Sequence, residues 1–501
     1  MISKKTFLLV LFILLKFVMQ HFLINSSYDL HRDEYLHLDQ ANHLAWGYES
    51  VPPFTAWISY LILKLGNAVF WVKFFPALFG ACTIIVVWKT IETLNGGLFA
   101  LCLGAIAVSF SVLPRINILY QPNSFDILSW TFLFYTLICY IKTRHSKWLY
   151  IAAISFSLGF LNKYNIAFLV AALLPAILFT NARILFLNKH LYFSMALSLL
   201  LVAPNLVWQY HHNFPVIHHM KELAETQLVN VQRTDFLKEQ LLYFFNSIFL
   251  LILAFVAFFT YPPFRKYRFI FWCYVFTITI FLCLKGKPYY VIGVYPVLLV
   301  FGAVYLELLT RNDRKKWLRP VTILIPLILF VPAIKKMFPV VSPADIAAES
   351  KKSGMHRWED GKEYLLPQDY ADMLGWRELA EKTDNAYRSL NDKNHTLILC
   401  DNYGQAGAIN YYSRQDIHAV SLNADYINWF ILDSAILHVV SIKEKADDLS
   451  REKNLFDSVT LTGKVENKYA RENGTGIFVL SSPKVNINEL LRQEIKKRKL
   501  Y

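Results

Sequence analysis

The chain has 501 residues, of which 55% are hydrophobic and 16% aromatic, and its mean hydropathy is +0.34. Only 18% are charged, below the roughly 25% of a soluble domain, so a water-soluble globular protein and a nucleic-acid-binding module are excluded despite the formal net charge of +14. The six cysteines, Cys82, Cys102, Cys139, Cys273, Cys283 and Cys400, form no CxxC pair, and five lie in apolar stretches; neither a disulfide framework nor a zinc cluster is indicated.

A membrane-crossing helix needs ~20 apolar residues. In chain order there are about eleven candidates, at roughly 6–24, 68–90, 97–114, 125–141, 148–162, 164–181, 190–209, 238–260, 269–285, 290–309 and 319–336. The first follows Lys4-Lys5, is too long for a signal-peptide core and has no small-x-small cleavage site, so it reads as an uncleaved span. The fifth and sixth are short and flank Asn162-Lys163-Tyr164, the pattern of a broken helix. Lys and Arg collect in the loops 142–147, 182–189, 261–268 and 310–319. With the N-terminus cytoplasmic, all four fall inside, which predicts an odd number of spans and puts loop 25–67 and everything past 337 outside.

From about 341 the composition changes. Charged residues and turn formers become frequent, and β-rich runs recur at Thr396–Leu399, Ile417–Val420, Leu437–Ile442 and Ile477–Leu480, with a helical pattern at Trp376–Lys382 between the linker and the first run. The basic end, Lys496-Lys497-Arg498-Lys499, reads as solvated or headgroup-touching. The expected architecture is a polytopic α-helical membrane protein. Its membrane domain spans 1–340, with extracytoplasmic loops 25–67, 114–125 and 210–237, and an extracytoplasmic α/β domain spans 341–501.

Unusual polar residues concentrate in the outer loops. Asp33-Glu34 is an acidic pair at the mouth of a bundle, where charge is expensive. Asp33 and His37 are four apart and share a helix face, and a carboxylate there can take a proton from an attacking hydroxyl. A solvated helix-capping acid is the plainer alternative. Asp126 opens the span after YQPNSFD and reads either as a helix cap or as a second carboxylate facing Asp33 across the mouth. Lys163, Lys285 and Lys287 are cations on the side that the positive-inside rule leaves neutral. They suit a phosphate at the membrane surface, or snorkelling lysines in the case of Lys285 and Lys287. Tyr289 and Tyr290 follow, either at that site or in an interfacial aromatic belt. Loop 210–237 carries His211, His212, His218 and His219 with Glu222 and Glu225. His218 and Glu222 are four apart, but no HExxH spacing occurs, so hydrated loop histidines are the default and a divalent metal stays open.

Six segments carry a resemblance: RDEYLHLDQANHLAWGYESVPPFTAW, YQPNSFDILSW, LGFLNKYN, KGKPYYVIGVYP, LPQDYADMLGWRELA and DNYGQAGAINYY. Together they resemble the GT-C-type glycosyltransferases of the dolichyl-phosphate-mannose protein mannosyltransferase superfamily, in particular the bacterial family 39/83 branch that includes aminoarabinose transferases acting on lipid A. The resemblance implies a GT-C fold in a bacterial inner membrane, with a sugar moved on the periplasmic face from a polyprenyl-phosphate donor to an envelope lipid, glycan or protein. It makes Asp33 the essential acid, with Glu34 beside it and Asp126 as the second acidic position, and assigns the carrier phosphate to Lys163, Lys285 and Lys287. Asp369, Asp372, Trp376, Tyr403 and Gln405 would lie in the outer domain near the acceptor. One base and a lipid-phosphate leaving group imply direct displacement with inversion. The rival expectations are a transporter or flippase of lipid-linked sugars and a non-catalytic envelope assembly protein.

Overall fold

Ser3 accepts a hydrogen bond from the Thr6 amide and starts the first helix, Lys4–Phe22, in the computed structural model of the chain, which describes residues 3–353, 356–444 and 449–499. Each apolar run expected to cross a membrane is helical. Among the described residues seven helices are long and apolar enough to cross, or up to nine if two bent pairs each count as one span. The bent pairs are Ile166–Leu178 with Asn181–Leu187, turned by 107°, and Arg233–Leu242 with Phe245–Thr260, turned by 54°. By length and composition alone, up to nine of the expected set of about eleven spans pass. Two of its members are Leu98–Ser109 and Lys147–Asn162, of 12 and 16 residues. At 1.5 Å per residue these reach about 18 and 24 Å, short of the ~30 Å hydrocarbon layer.

Burial sorts the spans. Pro288–Leu309 runs through the middle of the bundle, with 83% of its apolar stretch buried, whereas Lys4–Phe22 and Asp313–Met337 lie at its margin with 11%. The exposed side chains of the first helix, Phe7, Leu11, Leu14, Val18 and Phe22, are what a lipid-facing surface requires. At Gly302 a Cβ would lie 2.1 Å from the Leu250 carbonyl oxygen, so the absence of a side chain is what lets Tyr295–Leu309 and Ile248–Thr260 touch backbone to backbone.

The segment 25–67 is a folded cap over one end of the bundle, with helices Arg32–Asp39 and Phe54–Lys64. The segment 210–237 contributes Pro215–Thr226 and the start of Arg233–Leu242. Above them stands a five-stranded sheet. Thr396–Cys400 is flanked by parallel Ala419–Ser421 and His438–Lys443, and the antiparallel strands Gly476–Pro483 and Phe456–Lys464 follow beyond His438–Lys443. The four β-rich runs match four of these strands. Phe456–Lys464 did not stand out, because as an edge strand it is exposed over most of its length and carries polar residues on both faces.

The sheet domain docks on the cap through helix Tyr403–Tyr412, whose start is fixed by a capping box between Asn402 and Gln405. At Gly407 a Cβ would meet the Tyr35 Cβ at 2.6 Å, so this helix lies directly on Arg32–Asp39. Tyr35 is enclosed by Trp376, Tyr411 and Tyr412 at ring-centroid distances of 5.7–5.8 Å. Asp39 accepts hydrogen bonds from Asn410 and Tyr426, and Asp425 from the Gln40 side chain and the Glu49 amide. Apolar burial and satisfied buried polar groups together make this a fixed junction.

Candidate active site

A cavity of about 830 Å³ opens between the cap, the end of the bundle and the sheet domain. Asp33, His37, Lys163, Lys287, Tyr289, Tyr290 and Tyr403 line it. It is by far the largest of the described cavities, and its walls come from segments more than 350 residues apart in sequence.

Asp33 sits in the first turn of helix Arg32–Asp39, where the helix dipole favours negative charge. Its carboxylate accepts the Tyr403 hydroxyl at 2.7 Å and the Gln121 amide at 3.0 Å. His31 Nδ1 lies 3.8 Å away, and the Asp33 side chain keeps 36% of its surface exposed. Recession into the wall favours the neutral acid, but His31, Arg32 and the Tyr403 hydroxyl outweigh this and lower the pKa to about 2. Asp33 is thus a standing anion that can accept a hydrogen bond from an incoming hydroxyl. The Tyr403 phenol is pushed the other way, first by burial, and stays a donor. His37 lines the cavity one turn on, bonded to Gln40, and burial lowers its pKa, so the imidazole is neutral.

Glu34 has a different position. It is fully buried and absent from the cavity wall. Its two oxygens take the Lys73 ammonium at 2.7 Å, the His31 amide at 2.6 Å and the Tyr120 amide at 2.6 Å. Lys73 also reaches the Ile118 carbonyl. This carboxylate ties helix Arg32–Asp39, span Val69–Thr93 and the segment 117–124 together, the segment from which Gln121 reaches Asp33. Lys73 was missed in the sequence, and its signal was a single cation inside an apolar run.

Asp126 does not face Asp33 across the cavity. It lies one turn inside helix Asn123–Thr143, is 5% exposed, and accepts the Asn165 side-chain amide at 2.9 Å. Nor does its side chain cap the helix. Asn165 also donates to the Tyr290 carbonyl at 2.7 Å, so Asp126 lies beneath the cavity floor and holds the segment that carries Tyr289 and Tyr290.

The cationic end of the cavity is built from Lys163 and Lys287. Lys163 terminates helix Lys147–Asn162 in an extended conformation. Its ammonium bonds Asn123 at 2.7 Å and lies 4.4 Å from the Tyr290 ring centroid and 5.3 Å from that of Tyr289. Lys287 pairs with Glu359 at 2.6 Å. Lys285 does not line the cavity. It takes φ +53° just past helix Arg268–Cys283, the left-handed position that closes a helix C-terminus, and the following Gly286 amide returns to Phe281. Of the two KGK lysines, the structure turns one into a helix terminator and brings the other to the site.

On the sheet-domain side Asp369 pairs with Arg115 at 2.7 Å and Asp372 with Arg471 at 3.2 Å. Burial raises the Asp372 pKa against the pull of His31 and Arg471. Trp376 and Gln405 are buried behind the wall. In the 210–237 segment the structure joins Glu222 to His219, not to His218. His219, Glu222 and Glu49 of the cap bring one ligand atom each within 4.8 Å of one another. Burial lowers the His219 pKa, leaving the imidazole as a neutral donor. Two carboxylates and an imidazole suit a zinc or manganese ion, and these three residues would hold one at the cavity rim.

The fold has known counterparts. Residues 50–208 match the family described as dolichyl-phosphate-mannose-protein mannosyltransferase. The whole chain is similar in structure to ArnT from Cupriavidus metallidurans bound to undecaprenyl phosphate, with 12% identity, a TM-score of 0.64 and coverage of 95% of this chain and 98% of that one. The apo form of the same protein gives 13% identity, a TM-score of 0.62 and coverage of 97% and 99%. The oligosaccharyltransferase AglB from Archaeoglobus fulgidus aligns at 11% identity with a TM-score of 0.47, over 89% of this chain and 71% of that one. No curated protein matches in sequence. Over nearly its whole length the chain has the fold of ArnT, a helical bundle with an appended sheet domain.

Proposed function

We propose that this protein moves a sugar from a polyprenyl-phosphate donor to an envelope acceptor, which is lipid A, another glycolipid, a glycan or a protein. The reaction takes place on the periplasmic face of a bacterial inner membrane, with inversion at the anomeric carbon. The observation that carries this reading is the shared cavity: a permanently charged carboxylate, Asp33, at one wall, and Lys163 and Lys287 with two tyrosines at another. Displacement on a lipid-phosphate sugar needs just these two things. The acceptor hydroxyl must be oriented and relieved of its proton, and the departing phosphate must meet positive charge.

In this mechanism the acceptor hydroxyl donates to Asp33 and attacks the anomeric carbon from the side opposite the phosphate. The C–O bond to the phosphate breaks as the new one forms, and the proton passes to Asp33. A carboxylate with its pKa lowered to about 2 is a weak base, so the proton moves late, once the attacking oxygen has become strongly acidic. Lys163 and Lys287 take up the charge released on the phosphate oxygen. Glu34 and Asp126 act as positioning residues.

A transporter or flippase of lipid-linked sugars would use the bent helix pairs, yet the polar side chains gather at one end of the bundle and close around a single cavity. The test is mass spectrometry of envelope lipids and glycans from wild type, a deletion strain, and the deletion carrying Asp33→Asn at matched membrane abundance. A sugar-sized mass lost in the deletion and not restored by Asp33→Asn supports the transferase. Full restoration by Asp33→Asn removes it.

A further inference from the structure

The ion pair between Lys287 and Glu359 joins the two halves of the protein inside the cavity. Glu359 lies in the turn of a hairpin in which His356 and Arg357 face Tyr364 and Glu363. Its carboxylate reaches back to the bundle end and meets Lys287 at 2.6 Å. The lysine side chain is 18% exposed and the glutamate 43%. The partly wet carboxylate loses little on leaving, whereas the more enclosed ammonium needs a replacement anion. The hairpin ladder is short, and the Glu359 carboxylate also accepts the Gln368 side-chain amide at 3.4 Å. Glu359 donates its amide to Gln368 at 2.9 Å and accepts Asn230 on its carbonyl at 3.0 Å, and the ladder is two residues long on each side.

We propose that Glu359 is a displaceable anion that sets donor affinity. In the donor-free protein it occupies the face of Lys287 that the donor phosphate takes, and donor binding frees the hairpin from the bundle. This rests on the reading that Lys287 meets the donor phosphate. A phosphate brings more charge and more acceptor oxygens to the ammonium than one carboxylate does, so the exchange is favourable, and its cost is the ion pair given up. That cost fixes the affinity below what Lys287 alone would supply. It also makes the outer hairpin respond to what lies against the membrane half.

The experiment measures equilibrium binding of undecaprenyl phosphate to the full chain in lipid nanodiscs for wild type, Glu359→Gln, Glu359→Asp, Lys287→Met and the double variant Glu359→Gln/Lys287→Met. Thermal unfolding is recorded alongside, and Glu359→Asp serves as the readout if Glu359→Gln melts early. Exposed pairs of this kind predict that Glu359→Gln tightens binding about two- to fivefold. Glu359→Asp should fall between it and wild type, Lys287→Met should weaken binding, and Glu359→Gln should have no effect once Lys287 is gone. Unchanged or weaker binding in Glu359→Gln, with Lys287→Met still impaired, overturns the exchange and leaves the donor reading intact. Unchanged binding in Lys287→Met removes the assignment of Lys287 to the phosphate, and with it both ideas.

Discussion

Tyr403 donates its hydroxyl to Asp33 at 2.7 Å across 370 residues of sequence, so the outer domain supplies part of the immediate surroundings of the acid. Tyr403→Phe removes one stabilising bond from the carboxylate and leaves the ring against Arg32, whose guanidinium carbon lies 4.5 Å from the Tyr403 ring centroid. Turnover should fall about 10- to 100-fold, in line with ~1.5–3 kcal/mol for a hydrogen bond to a charged group. The acid limb of the pH–rate profile should also move to higher pH, because the carboxylate loses support for its charge. A profile that stays put would make Tyr403 a packing residue.

Asp33→Asn keeps the size of the side chain but removes the charge, and its single oxygen can accept from only one of Tyr403 and Gln121. The expected loss is ~10²–10⁴ in kcat, with donor binding close to wild type. In wild type the depressed pKa keeps Asp33 ionised at every pH above about 2. Its contribution to stability is therefore present above its unfolded value and lost only as pH falls toward 2, and activity near pH 5 should not be limited by its protonation. Rate measurements between pH 4 and 8 in wild type and Asp33→Glu check this.

Glu34→Gln should look different from its neighbour. The buried Lys73 ammonium loses its counter-charge, and breaking a buried pair from one side costs about 3–5 kcal/mol. The variant should therefore be scarce in the membrane and melt early, while the folded fraction retains measurable turnover. Combining it with Lys73→Met should recover part of the loss. Specific activity per folded molecule, set beside the melting curve, separates this role from a chemical one.

Asp425, 3% exposed, is pushed up to about 6 by burial, against its bonds to Glu49 and Gln40. A carboxyl whose folded pKa is raised binds more protons folded than unfolded between about 4 and 6, so stability falls as pH rises through that window and is level above it. The slope amounts to at most about 3 kcal/mol. Denaturant unfolding monitored in the outer domain at pH 4, 5, 6 and 7 should show it, and Asp425→Asn should flatten it.

Much of this was legible in advance. Charge avoidance in apolar sequence is strong physics, so the helical segments, the basic loops and the isolated Lys163 stood out. β-rich composition marked four of the five strands of the larger sheet. The site was legible as a list of unusual residues but not as an arrangement. Asp33 and Glu34 are adjacent in sequence, and only the fold shows that one faces the cavity and the other faces Lys73. The same holds for Lys285 and Lys287, where a left-handed turn separates two similar lysines, and for His218 and His219, where helix Pro215–Thr226 sets which one meets Glu49. Asp126 looked like a facing acid because one turn of depth along Asn123–Thr143 is invisible without the neighbouring Asn165. Tyr403 was noticed, but nothing local in DNYGQAGAINYY links it to a residue near the start of the chain.

That link has a consequence for biosynthesis. A ribosome delivers the bundle first, and spans can insert and pack while the remainder is still being made. Until residue 403 has been made and its helix has settled on Arg32–Asp39, the carboxylate lacks its phenol and the cavity lacks a wall. A half-made or prematurely terminated chain therefore carries no assembled site, and on the proposed function it is inert.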